Sequence, residues 1–286
     1  MTQTQTHRPE IGKSVVANGI RTNYLSAGAG TPVVIFVHGS GPGVTAYANW
    51  RLLFPALGSD IAPLADKFRL LAPDLVGFGF TDRPDGVEYN LQTWADQVVG
   101  LMDALDIPSA TLVGNSFGGA ISLRLATQHP ERVERLVLMG SMGVSFPITD
   151  GLDWVWGYQP SLENMRKCLD YFAWSRDLVS DELAEVRYQA SIQPGFQESF
   201  GSMFPAPRQR SVEAMTIPEQ ELRDLKHQTL LIHGREDQVI PLDASLRLLQ
   251  LIDNAELHVW GHCGHWTQIE RQHEFTHQLL GFIPVK

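Results

Sequence analysis

The chemistry most easily read from this sequence lies in Gly114-Asn115-Ser116-Phe117-Gly118, a G-x-S-x-G pentapeptide between an apolar run, Ala110–Val113, and a helical pattern starting near Gly118. A sharp strand-to-helix turn strains the central residue and crowds its neighbours, which accounts for the flanking glycines. Such a turn lifts the Ser116 hydroxyl clear of the sheet and sets it at a helix N-terminus, whose partial positive charge favours an oxyanion. A serine nucleophile needs a base, and the base needs an orienting acid. With each group expected after a strand, in the order serine, acid, histidine, the acid is Asp237. It follows the run Thr229–His233 in HGRED; Glu236 is adjacent, but the shorter side chain suits a fixed supporting role. Of the ten histidines, His7 lies in the N-terminal tail, and His129, His273 and His277 fall in or at the ends of helices. His262 and His265 both follow the last strand in GHCGHW; His265, next to the helix start, is preferred, with His262 as the alternative.

Acyl transfer also needs two N–H donors for the developing oxyanion, each worth on the order of 10²–10³ in rate. The residue after the nucleophile, Phe117, supplies one from its backbone, and by position the Ser40 backbone in His38-Gly39-Ser40-Gly41-Pro42-Gly43 supplies the other. His38 is expected to pin this loop by hydrogen bonding. A dinucleotide reading of the loop fails, because its third glycine comes one residue early for G-x-G-x-x-G and Pro42 lacks an N–H. A zinc reading of His262, Cys263 and His265 also fails, since three ligands within four residues, without a second cluster, match no ordinary site. Neither cofactor nor metal is expected.

These residues need a scaffold of strands and helices in alternation. Runs 32–37, 69–72, 110–113, 133–139, 229–233 and 256–260 read as strands, most of them apolar throughout, as in a parallel sheet covered on both faces. Helical patterns occupy 91–105, 118–128, 241–252 and 268–282. The fold class is therefore α/β, with a mostly parallel sheet wrapped by helices. Between Val144 and Arg210 no strand is evident, and this stretch holds 11 of the 26 aromatic residues. It reads as a helical lid over an apolar pocket, inserted into a body made of residues 1–143 and 211–286.

Composition bounds the rest. The 286 residues are 43% hydrophobic, enough for a large core, and the net charge of −10 argues against a surface that tracks nucleic-acid phosphates. An anionic ligand would then depend on a local cation. Cys168 and Cys263 form no disulfide framework or CxxC motif, so a reducing compartment is expected. The N-terminus lacks a signal pattern and no apolar run approaches the roughly 18 residues of a membrane span, so the expectation is a cytoplasmic protein with no membrane partner.

The segments HGSGPGVTAYANWR, PDLVGFGFTDRP, LVGNSFGGA, VWGYQPSLENMR, RYQASIQPGFQESF, LIHGREDQVIPL and GHCGHWTQIE together resemble the α/β-hydrolase family, and within it the meta-cleavage-product hydrolases. They look most like the branch acting on monocyclic products, the 2-hydroxymuconic-semialdehyde hydrolases. The segment Gly58–Lys67 looks longer than usual there. The resemblance implies an eight-stranded sheet, a homodimer or higher homo-oligomer, and a small anionic substrate, a 2-hydroxy-6-oxohexa-2,4-dienoate. Its carbon–carbon bond would be hydrolysed to 2-hydroxypenta-2,4-dienoate and a small carboxylic acid. It further implies that His265 relays protons during ketonisation and cleavage, and that Ser116 attacks the C6 carbonyl, with direct attack by water as the alternative. Asn49, Asn115, Trp266 and the Ser40 hydroxyl would contact the oxo/hydroxy end. An ordinary carboxylesterase, a cofactor-free haloperoxidase or a non-enzymatic receptor would share much of this pattern.

The substrate carboxylate requires a cation. On a helix 180–191, Leu183, Val186 and Ala190 fall on one face, with Asp181, Glu182, Glu185 and Gln189 opposite. Arg187 stands at i+4 from Leu183, on the apolar side, and an arginine there needs an anion: the substrate carboxylate or an internal ion pair. The family's carboxylate-binding arginine matches Arg187.

Overall fold

A computed structural model describes residues 8–54 and 64–285. Most of the 58–67 segment lies outside the described residues. Eight strands form one sheet in the order β1-β2-β4-β3-β5-β6-β7-β8. Strands β3 (Val33–Val37), β4 (Arg69–Pro73), β5 (Ala110–Asn115), β6 (Val133–Met139), β7 (Thr229–Gly234) and β8 (Ala255–Trp260) run parallel. Residues of β5 and β7 are buried along their whole length, as their unbroken apolar character predicts. Alternation sorts the side chains of β3 into two cores: Ile35 and Val37 pack with the helices on one face, Val34 and Phe36 with Trp50, Phe54 and Phe275 on the other.

The antiparallel edge, β1 (Lys13–Ala17) and β2 (Ile20–Ala27), went unnamed among the strands read from the sequence. β1 is largely exposed and β2 interrupts its apolar residues with Arg21, Thr22 and Asn23, but Asn18-Gly19 between the two strands is a hairpin signal, and both residues take positive φ, 47° and 78°. The expected helix 268–282 is two helices, Thr267–Glu270 and Gln272–Phe282, broken at Arg271 (φ −126°, ψ 44°). No glycine or proline marks that break; it places Phe275 and Leu279 in the core.

Helices α1 (Ala46–Trp50), α2 (Leu91–Ala104) and α3 (Phe117–Gln128) precede β6, and between β6 and β7 the chain forms α4 (Asp150–Trp156), α5 (Leu162–Phe172), α6 (Asp181–Ser191), α7 (Phe196–Met203), α8 (Gln209–Ala214) and α9 (Glu219–Asp224). The first three begin on the hydroxyls of Thr149, Ser161 and Ser180, which accept the N–H groups of Leu152, Asn164 and Leu183. The face expected for α6 needs correction. Its inward stripe is Ala184, Arg187 and Ser191, whereas Val186 is 59% exposed and Leu183 and Ala190 are only partly covered. Helical spacing admits both faces. The inward one is chosen by close contact with the body: a Cβ on Gly43 would lie 2.7 Å from the Ser191 nitrogen and 3.0 Å from the Ala190 carbonyl carbon. The insert's aromatics reach inward as well. Trp156 stacks on Phe204 (4.3 Å, 1°), and Phe204 packs edge-on against Phe117 (6.1 Å).

Candidate active site

All the singled-out loops leave the sheet at its carboxyl edge, where open α/β sheets hold their ligands. At the end of β5, Ser116 has φ 55° and ψ −115°, outside the regions an L-residue prefers, and is only 2% exposed. It caps helix α3 (Phe117–Gln128). Crowding explains the glycines around it: a Cβ on Gly114 would lie 2.6 Å from the Gly118 oxygen, and one on Gly118 2.6 Å from the His38 oxygen.

Asp237 and His265 meet, with Asp237 Oδ2 2.7 Å from His265 Nδ1, while Asp237 Oδ1 accepts the Val239 and Ile240 N–H groups at 2.7 and 2.9 Å. Burial pushes the Asp237 carboxyl up, but His265, His233 and the Ile240 N–H outweigh it and hold the group below the usual carboxylate range. The neighbours of these two residues make different contacts. Glu236 instead accepts the Cys263 N–H at 3.1 Å, and His262 is exposed against Trp174. The same divergence separates His262 from His265, so the trio with Cys263 does not converge on one point. Among the described residues no group of three or more His, Cys, Asp or Glu is placed to hold a metal ion.

Ser116 and His265 are linked through neighbours of the β6 end. A Cβ on Gly140, the residue after β6, would lie 2.9 Å from Asp237 Oδ2 and 3.1 Å from His265 Nδ1, and Gly140 follows Met139, whose oxygen accepts the Ser116 N–H at 2.8 Å. A Cβ on Gly39 would lie 3.5 Å from Ser116 Cβ, which brings the 38–43 loop against the serine. Phe117, as the first helical residue, has an N–H with no carbonyl in its own helix to bond. The Ser40 N–H donates to no backbone carbonyl among the described residues.

His38 holds that loop in the way its position predicts. Its Nδ1–H donates to the Gly39 oxygen at 2.8 Å, and its Nε2 accepts the Leu75 N–H at 3.0 Å. Burial lowers its pKa to about 4, only partly offset by the bond to Gly39, so it is neutral at pH 7. The unfolded chain takes up this proton near pH 6.5 and the folded chain only near 4, so stability falls as pH drops through that window. His38 alone should remove about 2 kcal/mol between pH 7 and 5. Asp74, raised to about 6 by burial, and the lowered His233 also shape the parent's slope, so the test is the difference: urea unfolding should show His38→Gln losing about 2 kcal/mol less than the parent between pH 7 and 5, and an equal change in both would disprove the assignment.

The other residues expected at the site are Arg187, Trp266, Asn49, Asn115 and Ser40. Arg187 is 7% exposed, with its guanidinium carbon 5.6 Å from the centre of the Trp266 ring. A Cβ on Gly41 would lie 4.0 Å from Arg187 Nη2 and 3.5 Å from Phe172 Cζ, which sets the guanidinium beside the Ser40 loop. Arg187 has no carboxylate within 4.0 Å among the described residues, and its Nε has no hydrogen-bond partner. Burial and then Arg51 lower its pKa to about 10, so it stays cationic at neutral pH. Asn49 is buried with an unsatisfied Nδ2. Asn115 is used within the fold, its Nδ2 3.5 Å from the Met139 oxygen. The Ser40 hydroxyl accepts the Trp156 indole N–H at 2.9 Å, leaving its own proton free to donate.

The α/β-hydrolase fold family matches residues 32–272. The chain is 58% identical to the 2-hydroxy-6-oxo-2,4-heptadienoate hydrolase of Pseudomonas putida strain F1 over 274 residues, covering 96% of each. The chain belongs to the α/β-hydrolase family, among its meta-cleavage-product hydrolases. The 2-hydroxymuconate semialdehyde hydrolase of Pseudomonas sp. strain CF600 is also 58% identical, over 96% of this chain and 94% of that one. Among solved structures, a variant of the meta-cleavage product hydrolase CumD of Pseudomonas fluorescens IP01, complexed with acetates, superposes with a TM-score of 0.92. It shares 55% identity and covers 96% of this chain and 98% of that chain.

Beyond the residues picked from the sequence, this α/β-hydrolase fold brings Trp156, Phe172 and Glu270 to the site. Phe172 lies nearly parallel to both His265 (6.0 Å) and Trp266 (5.0 Å). No spacing rule marks Phe172 or Glu270, because each acts through a contact between chain segments distant in sequence. Trp156 lies within VWGYQPSLENMR and Glu270 ends GHCGHWTQIE, so the resemblance covers both segments without giving either residue a role.

Proposed function

We propose that this protein hydrolyses a carbon–carbon bond in a 2-hydroxy-6-oxohexa-2,4-dienoate, releasing 2-hydroxypenta-2,4-dienoate and a small carboxylic acid. The observation that carries the reading is a buried arginine, Arg187, with no anionic partner among the described residues, on the same side of the sheet as a serine, a histidine and an aspartate that suit nucleophile, base and orienter. Such a cation is costly to bury unpaired, and a substrate carboxylate supplies its missing partner. The names of the 58%-identical relatives support the same substrate class.

In the dienol form the leaving group would be an unstabilised carbanion, so the reaction begins with ketonisation. His265 relays that proton, and cleavage then releases a resonance-stabilised dienolate. Asp237 keeps His265 in the tautomer that presents Nε2 to the serine. Ser116 attacks the C6 carbonyl, and the Phe117 and Ser40 N–H groups receive the oxyanion. The bond to C5 breaks as the dienolate leaves, and water, deprotonated by His265, releases the acid from the acyl-enzyme. Asn49, Asn115, Trp266 and the Ser40 hydroxyl contact the oxo/hydroxy end. Residues 144–210 serve as a lid on a body of 1–143 and 211–286, closing an apolar space lined by their aromatics. The enzyme acts as a homodimer or higher homo-oligomer in the cytoplasm, where its two free, buried cysteines stay reduced.

Loss of the yellow absorbance of C6-hydrogen, C6-methyl and C6-phenyl ring-fission products, compared as kcat/KM with a simple neutral ester, tests this. At least one ring-fission product should be turned over far faster than the ester. Faster ester hydrolysis would point instead to a carboxylesterase.

A further inference from the structure

The loop carrying His265 is held on two sides. From the body, Glu236 accepts the Cys263 N–H at 3.1 Å and donates its own N–H to the Cys263 oxygen at 3.0 Å, tying the loop to the one that carries Asp237. From the helical insert, the Phe172 oxygen accepts the N–H groups of His265 at 2.8 Å and Trp266 at 3.3 Å. Glu270 completes this second attachment. Its Oε1 accepts the Gly264 N–H at 2.7 Å, and its Oε2 accepts the Trp174 and Ser175 N–H groups at 2.8 and 2.9 Å. One carboxylate thus gathers three backbone donors from segments about ninety residues apart in the chain.

Local structure does not need that arrangement. Glu270 ends a four-residue helix and caps none of the donors of that helix, while Trp174 and Ser175 lie beyond the C-cap of α5, Ala173. Space is tight as well: a Cβ on Gly264 would lie 2.8 Å from the Phe172 oxygen and 3.1 Å from Glu270 Oε1. The loop backbone is itself strained at His262, with φ 54°. A strained loop relaxes when its outer attachments go, and a base displaced by about 1 Å can cost on the order of 10² in rate.

We infer that Glu270 is a positioning residue for His265, fastening the insert to the histidine loop so that the imidazole holds its working orientation only while residues 172–175 are docked. Opening of the insert at this seam would then switch off the base together with uncovering the site. The inference rests on the reading of His265 as the base in the function proposed above.

The test pairs Glu270→Ala and Glu270→Gln with His265→Ala, assayed on the C6-methyl ring-fission product. The glutamine keeps the shape, but its single acceptor oxygen serves one segment while its NH2 faces the donors of the other. Both Glu270 variants should lower kcat about 30- to 100-fold with KM changed less than threefold, since Arg187 and Asn49 are untouched. In the His265→Ala background, Glu270→Ala should cost less than a further twofold, because its effect passes through the imidazole. Circular dichroism and a melting point above the assay temperature establish folding, and Glu270→Gln carries the test where the alanine variant does not fold. Equal losses in both backgrounds, a change in KM alone, or unchanged kcat would overturn the role of Glu270. Full turnover by His265→Ala would instead overturn the base assignment, so the two failures are distinguishable.

Discussion

Ser116→Ala should lower turnover of ring-fission products by about 10³-fold or more while leaving the protein folded. Removing the hydroxyl eliminates the covalent route and leaves only binding, the oxyanion donors and His265. A stopped-flow record should show whether the keto form still accumulates, because His265, not Ser116, is assigned the ketonisation. The backbone supplies a second readout. At φ 55° and ψ −115°, Ser116 occupies a conformation that glycine adopts freely and other residues only under strain of about 1–3 kcal/mol. Ser116→Gly should therefore be equally inactive yet more stable than the parent, by about 1 kcal/mol in urea unfolding, and more stable than Ser116→Ala. Full activity in the alanine variant would refute the nucleophile. Loss of stability in the glycine variant would show that the turn is not strained.

Arg187→Met should reduce kcat/KM for an anionic ring-fission product about 100-fold, and far less for a neutral ester of similar size. The same substitution should raise the melting temperature. Arg187 is buried, its Nε is unpartnered, and among the described residues no carboxylate lies within 4.0 Å of it, so folding bears the desolvation of a guanidinium without the Coulomb return of an ion pair. Replacing it by an apolar side chain of similar length removes that cost. An arginine that locked the insert through an internal ion pair would behave oppositely, since its removal would strand a buried carboxylate. Small carboxylates should stabilise the parent and lose that effect in the variant. Equal losses on anionic and neutral substrates, or a lower melting temperature, would reject the carboxylate-binding role.

The parts of this protein legible from its sequence are those written in local pattern. Apolar runs ending in turn residues identify the parallel strands, because a strand buried on both faces must be apolar throughout. The crowded turn at 114–118 identifies Ser116, since only glycine allows helix α3 to approach β5 and the loop after β3 so closely. Polar edge strands β1 and β2 carry a weaker signal, as does the break at Arg271, which no residue type announces.

Residue types and order alone nominated Ser116, an acid near 237, a histidine near 265 and a cation at Arg187, because each chemical role admits few side chains. Preferring Asp237 over Glu236, or His265 over His262, gains its support from the fold: neighbours in sequence meet different partners, and only Asp237 and His265 meet each other, at 2.7 Å. The inward face of α6 is likewise set by packing, since helical spacing allows more than one inward stripe and contact with the body selects Ala184, Arg187 and Ser191. The contacts of Glu270 and Phe172 belong wholly to the tertiary structure. Their importance comes from backbone groups brought together across some ninety residues of chain, and backbone hydrogen bonding leaves no mark in residue types.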